Sequence, residues 1–420
     1  MKNITIESYQ NKTVENNGMS SFLLISAIFV IGATFALSMK IPISNVMQGY
    51  QYNVLIILIV MDLFTKLIAS TGIMEFIGSK IALLTRGNKK LILIFFGVLM
   101  FFISAFVNNI TAVMIVLPII FILLRGINID QKFIYVFFAV LLAISNTGGA
   151  ASPIGDFPAV IIMTSGITTF FDYLIRAMPV FILTSVVLIY FWSLKVPNSK
   201  DTGEKWAGLI KGKKYDKVTL IPLLVVFVAM FVVWSVVPQN IMPPEIVAVL
   251  GYGIVLAICT LRKKVIETII DFKAVLTIAG FLFIASVISE TGWLVVIANA
   301  LQSNITDPKI LLLVIMIMTS AMSGLFSAGP AAAAMMPIII NLCNTALTGE
   351  SHWVAIAYAA SICAGSSLFM WSATAGFILS TKIDEAKLDY QWGIGAYLKF
   401  GLMNYIIQMV IAIAIIAIII

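Results

Sequence analysis

"SNTGGAASPIGDFPA", Ser145 to Ala159, separates two strongly apolar stretches of the chain. It holds three glycines, two prolines, an amide, three hydroxyls and a carboxylate. Glycine opens backbone angles outside the helical range and proline withholds a donor, so a helix entering this segment breaks in it. Hydrocarbon gives such backbone no hydrogen-bond partner. Irregular chain persists at membrane depth only where protein buries it or a wet cavity receives it. Either the flanking runs do not cross a membrane, or a broken helix lines a site inside one.

Composition selects the second. Of 420 residues, 61% are hydrophobic and 11% charged, too few charges to cover a soluble core. Apolar runs of about 18 residues or more recur along the chain, each able to span ~30 Å of hydrocarbon. The polar pieces are a tail, one central linker and short loops, none long enough to fold alone. The tail has no apolar core and does not read as a cleavable signal. Three cysteines, Cys259, Cys343 and Cys363, lie in apolar surroundings without CxxC spacing, which predicts neither a disulfide framework nor a zinc site. The net charge of +7 reads as membrane orientation rather than nucleic-acid binding.

The predicted spans are 22–38, 54–70, 133–165 (broken), 171–193, 218–237, 244–261, 273–302 (broken), 352–380 (broken) and 396–419. Two further apolar pairs, 91–107/110–124 and 310–326/330–344, are interrupted by "VNNIT" and "FSAGP". Arg86, Lys89 and Lys90 precede the first pair, and Arg125 and Lys132 follow it. Basic residues gather on the cytoplasmic side, so this pair is expected to enter and leave there as a re-entrant hairpin. Seven lysines of the linker 195–217, then Arg262, Lys263, Lys264, Lys382 and Lys387, fall on the same side. Eleven ordinary spans would put Arg125 and the linker lysines on opposite faces. The expected topology therefore places the N-terminus in the cytoplasm and the C-terminus outside, in a cytoplasmic membrane.

Two halves resemble each other. "LFTKLIASTGIMEFIGSKIA" from Leu63 lies against "LFIASVISETGWLVVIANAL" from Leu282, and "SAFVNNITAVMIVLPII" from Ser104 against "SGLFSAGPAAAAMMPII" from Ser323. "AISNTGGAASPIGDF" from Ala143 lies against "AASICAGSSLFMWSA" from Ala359, pairing Ser145 with Ser361 and Gly149 with Gly365. The span 218–237 has no counterpart, so it inverts the second half relative to the first. Inverted repeats with broken helices at matching places put a binding site at the repeat interface. The expected organisation is a cytoplasmic tail (1–21), a first repeat (22–193), a cytoplasmic linker (194–217), a connecting helix and loop (218–243) and a second repeat (244–420).

The broken points carry the chemistry. Asn108, Asn109 and Thr111 form one expected tip, and Ser145, Asn146, Thr147, Gly148 and Gly149 the facing break. Amide and hydroxyl oxygens with freed carbonyls make a neutral hard-oxygen cage suited to Na⁺, while a half-helix N-terminus beside it favours an anion. A single Asn or Ser in a bundle also serves as helix–helix glue worth about 0.6–2 kcal/mol; the clustering here argues for more. The second half is poorer: its tip, Ser327 to Pro330, has no amide, and its break offers Ser361, Ser366, Ser367, Ser372 and Thr374. Ionisable groups inside membrane spans are functional candidates by default. Asp62 and Lys66, four residues apart, read as a self-neutralising pair; Asp156, inside the opening stretch, reads as the contact for a cation or proton. No GxxxxGK[ST] loop occurs, and no nucleophile–base or metal constellation points to an enzyme.

"SAFVNNITAVMIVLP" and "SNTGGAASPIGDFPA" resemble the ion transporter superfamily, which includes divalent anion/sodium symporters, citrate permeases and arsenite permease/sodium–proton antiporters. The symporters' broken helix resembles Gly-Gly-x-x-(Thr/Ser)-Pro-Ile-Gly-(Thr/Asp)-Pro-Pro-Asn. This chain keeps Gly148, Gly149, Ser152, Pro153, Ile154, Gly155, Asp156 and Pro158 and departs at Phe157 and Ala159. The resemblance implies a dimeric scaffold and a transport domain moving as an elevator, with Na⁺ at Asn108/Asn109 and Ser145/Gly149 and substrate between the hairpin tips.

The resulting expectation is an all-α polytopic membrane protein of inverted-topology repeats, with two re-entrant hairpins and broken helices, working as an elevator-type homodimer in the bilayer. It would be a secondary active transporter of a small anion, a di/tricarboxylate or oxyanion, coupled to Na⁺ or H⁺ and needing no organic cofactor. A Na⁺/H⁺ antiporter and a membrane subunit of a multicomponent system are the alternatives. The expected Na⁺ ligands are Asn108, Ser145, Asn146, Gly149 and Asp156; the expected substrate contacts are Asn109, Thr111, Thr147, Ser327, Ser366, Ser367 and Thr374.

Overall fold

Without a closed barrel, helices alone satisfy backbone hydrogen bonds in hydrocarbon. The computed structural model describes residues 26–124, 127, 130–198, 214–262, 272–373, 375–385 and 394–419, and no strand occurs among them. The first half contains α1 (Ser26–Ser38), α2 (Ile43–Gln48), α3 (Tyr52–Ser70), α4 (Ile73–Thr85), α5 (Lys89–Phe106), α6 (Asn109–Leu124), α7 (Gln131–Ala150), α8 (Phe157–Thr164) and α9 (Phe170–Ser193). Next comes α10 (Lys217–Val236). The second half contains α11 (Pro244–Leu261), α12 (Phe272–Glu290), α13 (Trp293–Asn304), α14 (Pro308–Phe326), α15 (Ala328–Thr345), α16 (Ser351–Ser366), α17 (Gly376–Glu385) and α18 (Ile394–Ile419). The tail 1–21 and residues 199–213 of the linker lie outside the described residues.

Among the described helices, eight are long and apolar enough to cross a membrane: α3, α5, α7, α9, α10, α11, α14 and the Tyr397–Ile415 part of α18. The chain is an all-α polytopic membrane protein. Polar residues start the helices by satisfying donors that the first turn leaves free. Asn88 accepts from Leu91 N–H at the start of α5, Asp130 from Phe133 N–H at α7, and Thr169 from Asp172 N–H at α9. Burial then ranks the helices: 94% of the spanning window of α7 is buried within the protein, against 28% for α10. The helix that carries the opening stretch is thus central, and α10 presents its apolar surface outward.

The order α3 to α9 recurs as α12 to α18, and the contacts recur with it. Ser104 Oγ, on α5, donates to the Ser145 carbonyl at 2.7 Å; Ser323 Oγ, on α14, donates to the Ile362 carbonyl at 2.8 Å. Tyr173 donates its hydroxyl to the Ala150 carbonyl at 2.8 Å, and Tyr397 to the Ser367 carbonyl at 2.9 Å. Gly148 packs against Phe101 O and Ser104 Cβ so closely that a Cβ would sit 2.5 and 3.0 Å from them, and Gly365 stands in the same way against Ser320 O and Ser323 Cβ. These contacts pair Ser145 with Ile362 and Gly148 with Gly365, one residue away from the pairing expected from the sequence. Side-chain type aligns the serines; the close backbone approach aligns the glycines.

Two breaks also differ from expectation. The hairpin tips are shorter than the polar runs that mark them: Val107 and Asn108 alone join α5 to α6, and Ser327 alone joins α14 to α15. Asn109 to Thr111 and Ala328 to Pro330 are already helical. In the first half the helix after residue 70 resumes as α4, matching the α12–α13 break; Gly72 and Gly292 enter α4 and α13 at φ 78° and 72°.

Candidate functional site

The last turn of α5 leaves carbonyls without helical partners, and the opening stretch takes them up. Ser152 Oγ donates to the Ala105 carbonyl. That bond holds the loop between α7 and α8 against the end of α5, where the chain turns into α6. Asp156 ends the loop and caps α8, its Oδ1 accepting from Phe157 N–H at 2.9 Å. Its Oδ2 accepts from Asn109 Nδ2 at 2.7 Å, and Asn109 Oδ1 shares the single Ser104 hydroxyl proton with the Ser145 carbonyl. Ser104 and Asn109 are 0% exposed and Asp156 5%. No ion-pair partner of Asp156 occurs among the described residues.

Gly149 makes this junction possible. A Cβ there would lie 2.5 Å from Asn109 Oδ1 and 2.7 Å from Asp156 Cβ. Beside Asp156 is a cavity of about 10 Å³, lined by Asn146 and Asp156 from the first half and by Ala328, Cys363 and Ser366 from the second. That is room for about one water-sized species. No lysine or arginine lines it among the described residues. The polar pair belongs to one half only, since Ala328 starts α15 where Asn109 starts α6.

The structure gathers Asn109, Asn146, Gly149, Asp156 and Ser366 around this junction and places Asn108, Thr111 and Thr147 elsewhere. Asn108 caps its own helix, its Oδ1 accepting from Ile110 N–H at 3.0 Å. It lines a separate cavity of about 250 Å³ with Thr111, Asp62 and Lys66. Ser145 spends its hydroxyl on the Leu142 carbonyl and offers the site only its own carbonyl, which Ser104 already holds. Thr147 faces α9, 2.7 Å from Ser185 Oγ. Ser366 and Ser367 both donate to the Cys363 carbonyl at 3.0 Å. Ser367 Oγ also accepts from Asn146 Nδ2 at 3.3 Å and from Gln408 Nε2 at 2.9 Å. Thr374 lies outside the described residues.

Ser327 is half-buried at φ 87° and ψ 154°, a region that residues with a Cβ enter at a cost of about 1–3 kcal/mol. Ser327→Gly should raise thermal stability by about 1 kcal/mol, and Ser327→Ala should not. Thermal melts of the two purified variants read the difference.

Sequence reasoning missed Ser104, Gln408 and Asn404. Asn404 accepts from Trp192 Nε1 at 2.7 Å and donates to the Ala139 carbonyl at 3.3 Å, joining α18 to α9 and α7. The signal was present: two amides four residues apart in "MNYIIQMVIAIAII" mark the face of a membrane helix that turns inward.

Family membership makes this polytopic membrane protein a transporter. The citrate transporter family matches the chain over residues 19–241 and 229–420, and the chain belongs to that family. It is similar to an uncharacterized transporter of Mycobacterium tuberculosis, 24% identical over 344 residues, which cover 79% of this chain and 78% of that protein. It is also similar to a 46 kDa membrane protein of Mycobacterium leprae, 24% identical over 79% of this chain and 78% of that one. The magnetosome protein MamN of Paramagnetospirillum magneticum is 23% identical over 80% of this chain and 77% of its own length.

Proposed function

We propose that the protein is a secondary active transporter of a small anion and that Asp156 carries the coupling ion, Na⁺ or H⁺. The observation behind this is a buried carboxylate with two hydrogen bonds and no cationic partner among the described residues. An uncompensated charge in such surroundings costs far more than two hydrogen bonds return. A proton or a small cation in the adjoining cavity removes the cost. Asn109 orients the carboxylate, Ser104 orients Asn109, and Asn146 adds an amide at the cavity wall. Membership of the citrate transporter family supports an anion as cargo. A Na⁺/H⁺ antiporter is the second reading, favoured by the size of the cavity and by the lack of basic residues along it among the described residues.

Parent protein in proteoliposomes, offered citrate, succinate and arsenite-type oxyanions under separate Na⁺ and pH gradients, distinguishes the two. Symport gives anion uptake that follows one imposed gradient. Antiport gives Na⁺-driven proton movement that is indifferent to every anion.

The same reading takes the two halves as inverted repeats with re-entrant hairpins, moving as an elevator within a homodimer in the cytoplasmic membrane. The clustering of basic residues in the linker supports the orientation. A cysteine at Ser199 should react only with impermeant reagent supplied from the cytoplasmic side, and a cysteine at Gly349, in the exposed loop between α15 and α16, only from the other. Labelling of both from one side would contradict the inversion.

A further inference from the structure

A groove of about 1110 Å³ runs between α9 and α10. Its described lining is apolar throughout: residues of α9 from Leu174 to Val186 form one wall, and Phe227, Val228 and Phe231 of α10 the other. Phe106, at the end of α5, backs the groove, its ring edge-on to Phe227 and Phe231 at 6.2 and 5.6 Å. From Leu174 to Val186 the helix rises ~18 Å, a little more than half of the ~30 Å hydrocarbon core. The groove thus has the depth of one leaflet.

The groove ends near the start of α9, and there the side chains become charged. Asp172 and Arg176 each stand three residues before a lining residue, Ile175 and Pro179, so they continue the same face of the helix. Arg176 Nη1 donates to Asp172 Oδ1 at 2.7 Å and to the Asp172 carbonyl at 3.2 Å. Its Nε and Nη2 make no hydrogen bond among the described residues. The guanidinium lies 5.8 Å over the Trp353 ring of α16. Asp172 Oδ2 accepts from the Thr169 hydroxyl at 2.6 Å and lies 3.8 Å from His352 Nε2. The Arg176 and Asp172 side chains are 28% and 30% exposed, open to a ligand at the membrane surface.

We infer that this groove is a binding site for a phospholipid with a zwitterionic, primary-ammonium headgroup, phosphatidylethanolamine, its acyl chains along α9 and α10, its phosphate on Arg176 and its ammonium on Asp172. The inference does not depend on which ion or anion the protein carries. Inside a bilayer the lipid tails are as apolar as the groove, so packing sets the fit of the chains and the charged pair sets the identity of the head. The remaining guanidinium N–H groups suit phosphate oxygens. A carboxylate offers about four lone-pair sites, so Asp172 can accept from an ammonium while keeping Arg176 and Thr169. An anionic headgroup would bring its charge beside Asp172 with no cation to return. The quaternary ammonium of phosphatidylcholine has no N–H to donate.

The test uses the full-length protein, purified and stripped of lipid in mild detergent. Phosphatidylethanolamine, phosphatidylcholine and phosphatidylglycerol with identical acyl chains are added, and binding is read by thermal stabilisation and by native mass spectrometry. Phosphatidylethanolamine is expected to bind saturably, about fivefold or more tighter than either of the others. Arg176→Gln should weaken it by about fivefold or more, through loss of the charge-assisted phosphate contact. Asp172→Asn should bring phosphatidylethanolamine and phosphatidylcholine within about twofold of each other. Val228→Trp, which fills the groove, should weaken all three lipids alike; it decides the matter if the charge variants fail to fold. Tighter binding of phosphatidylglycerol than of phosphatidylethanolamine, or three affinities within about twofold in the parent, overturns the assignment. So does a Val228→Trp protein that binds all three as the parent does. A parent that binds no lipid, together with a Val228→Trp variant that falls from dimer to monomer, would make the groove an interface between two copies and also overturn it.

Discussion

Asp156→Asn is expected to leave a folded, membrane-inserted protein whose gradient-driven transport falls by about tenfold or more. That reduction corresponds to a loss of about 1.4 kcal/mol or more of ion binding. Asparagine keeps an oxygen for Phe157 N–H, and its NH₂ donates to Asn109 Oδ1 once the Asn109 amide turns over and Ser104 Oγ accepts from Asn109 Nδ2, so the N-cap and the junction survive, with stability within about 1 kcal/mol of the parent. It cannot take up a proton and is a much weaker ligand for Na⁺. Asp156→Ala removes the cap and leaves the Asn109 amide without its acceptor, adding about 1–3 kcal/mol of instability. Transport assays and thermal melts on both variants separate the two roles. Coupling lost in both with stability lost only in Ala is the expected pattern. Full coupling in Asp156→Asn would make Asp156 a helix cap and nothing more.

Gly149→Ala should be the more damaging change to the fold. The added methyl meets Asn109 Oδ1 at 2.5 Å and Asp156 Cβ at 2.7 Å, and both are held by hydrogen bonds in a 0–5% exposed junction. Neither can yield without breaking the Asn109–Asp156 bond. Overpacking of this kind costs about 1–3 kcal/mol, and here it also displaces the carboxylate proposed to bind the coupling ion. Thermal stability should fall by about 2 kcal/mol and coupled transport should be lost. An adjustment confined to the Asn109 side chain would restore stability in the double variant Gly149→Ala/Asn109→Ala but not transport, so the pair of measurements distinguishes packing from ion binding.

The fold was legible because the physics of the bilayer is severe. Apolar runs of spanning length, with glycine and proline interrupting them, leave few arrangements, and the described helices fall close to the expected spans. The hairpin joints were harder. Polarity marked "NNIT" as a tip, but three of those residues open α6, because polar side chains at a helix N-terminus satisfy free donors as readily as they make a loop. The site was legible in composition and not in geometry. Asn108 and Asn109 are adjacent and chemically identical, yet one caps a helix beside the large cavity and the other holds Asp156. A helix turns about 100° per residue, so neighbours face different partners and no rule of residue type can choose between them. Asp62 and Lys66 carried the opposite lesson. Their spacing explained them as a local pair, and the structure shows that pair, but only the packing of α6 and α12 shows that a cavity opens onto it.

Infrared difference spectroscopy on the purified protein tests most directly whether Asp156 carries the coupling ion. A carboxyl group that holds a proton and one that holds a cation absorb in different regions. The parent should show a protonated-carboxyl band that disappears on adding Na⁺, if Na⁺ is the coupling ion, or on raising the pH alone, if H⁺ is; in either case the band should be missing from Asp156→Asn. A parent spectrum whose carboxyl bands respond to neither ion, or whose responding band persists in Asp156→Asn, would contradict the account.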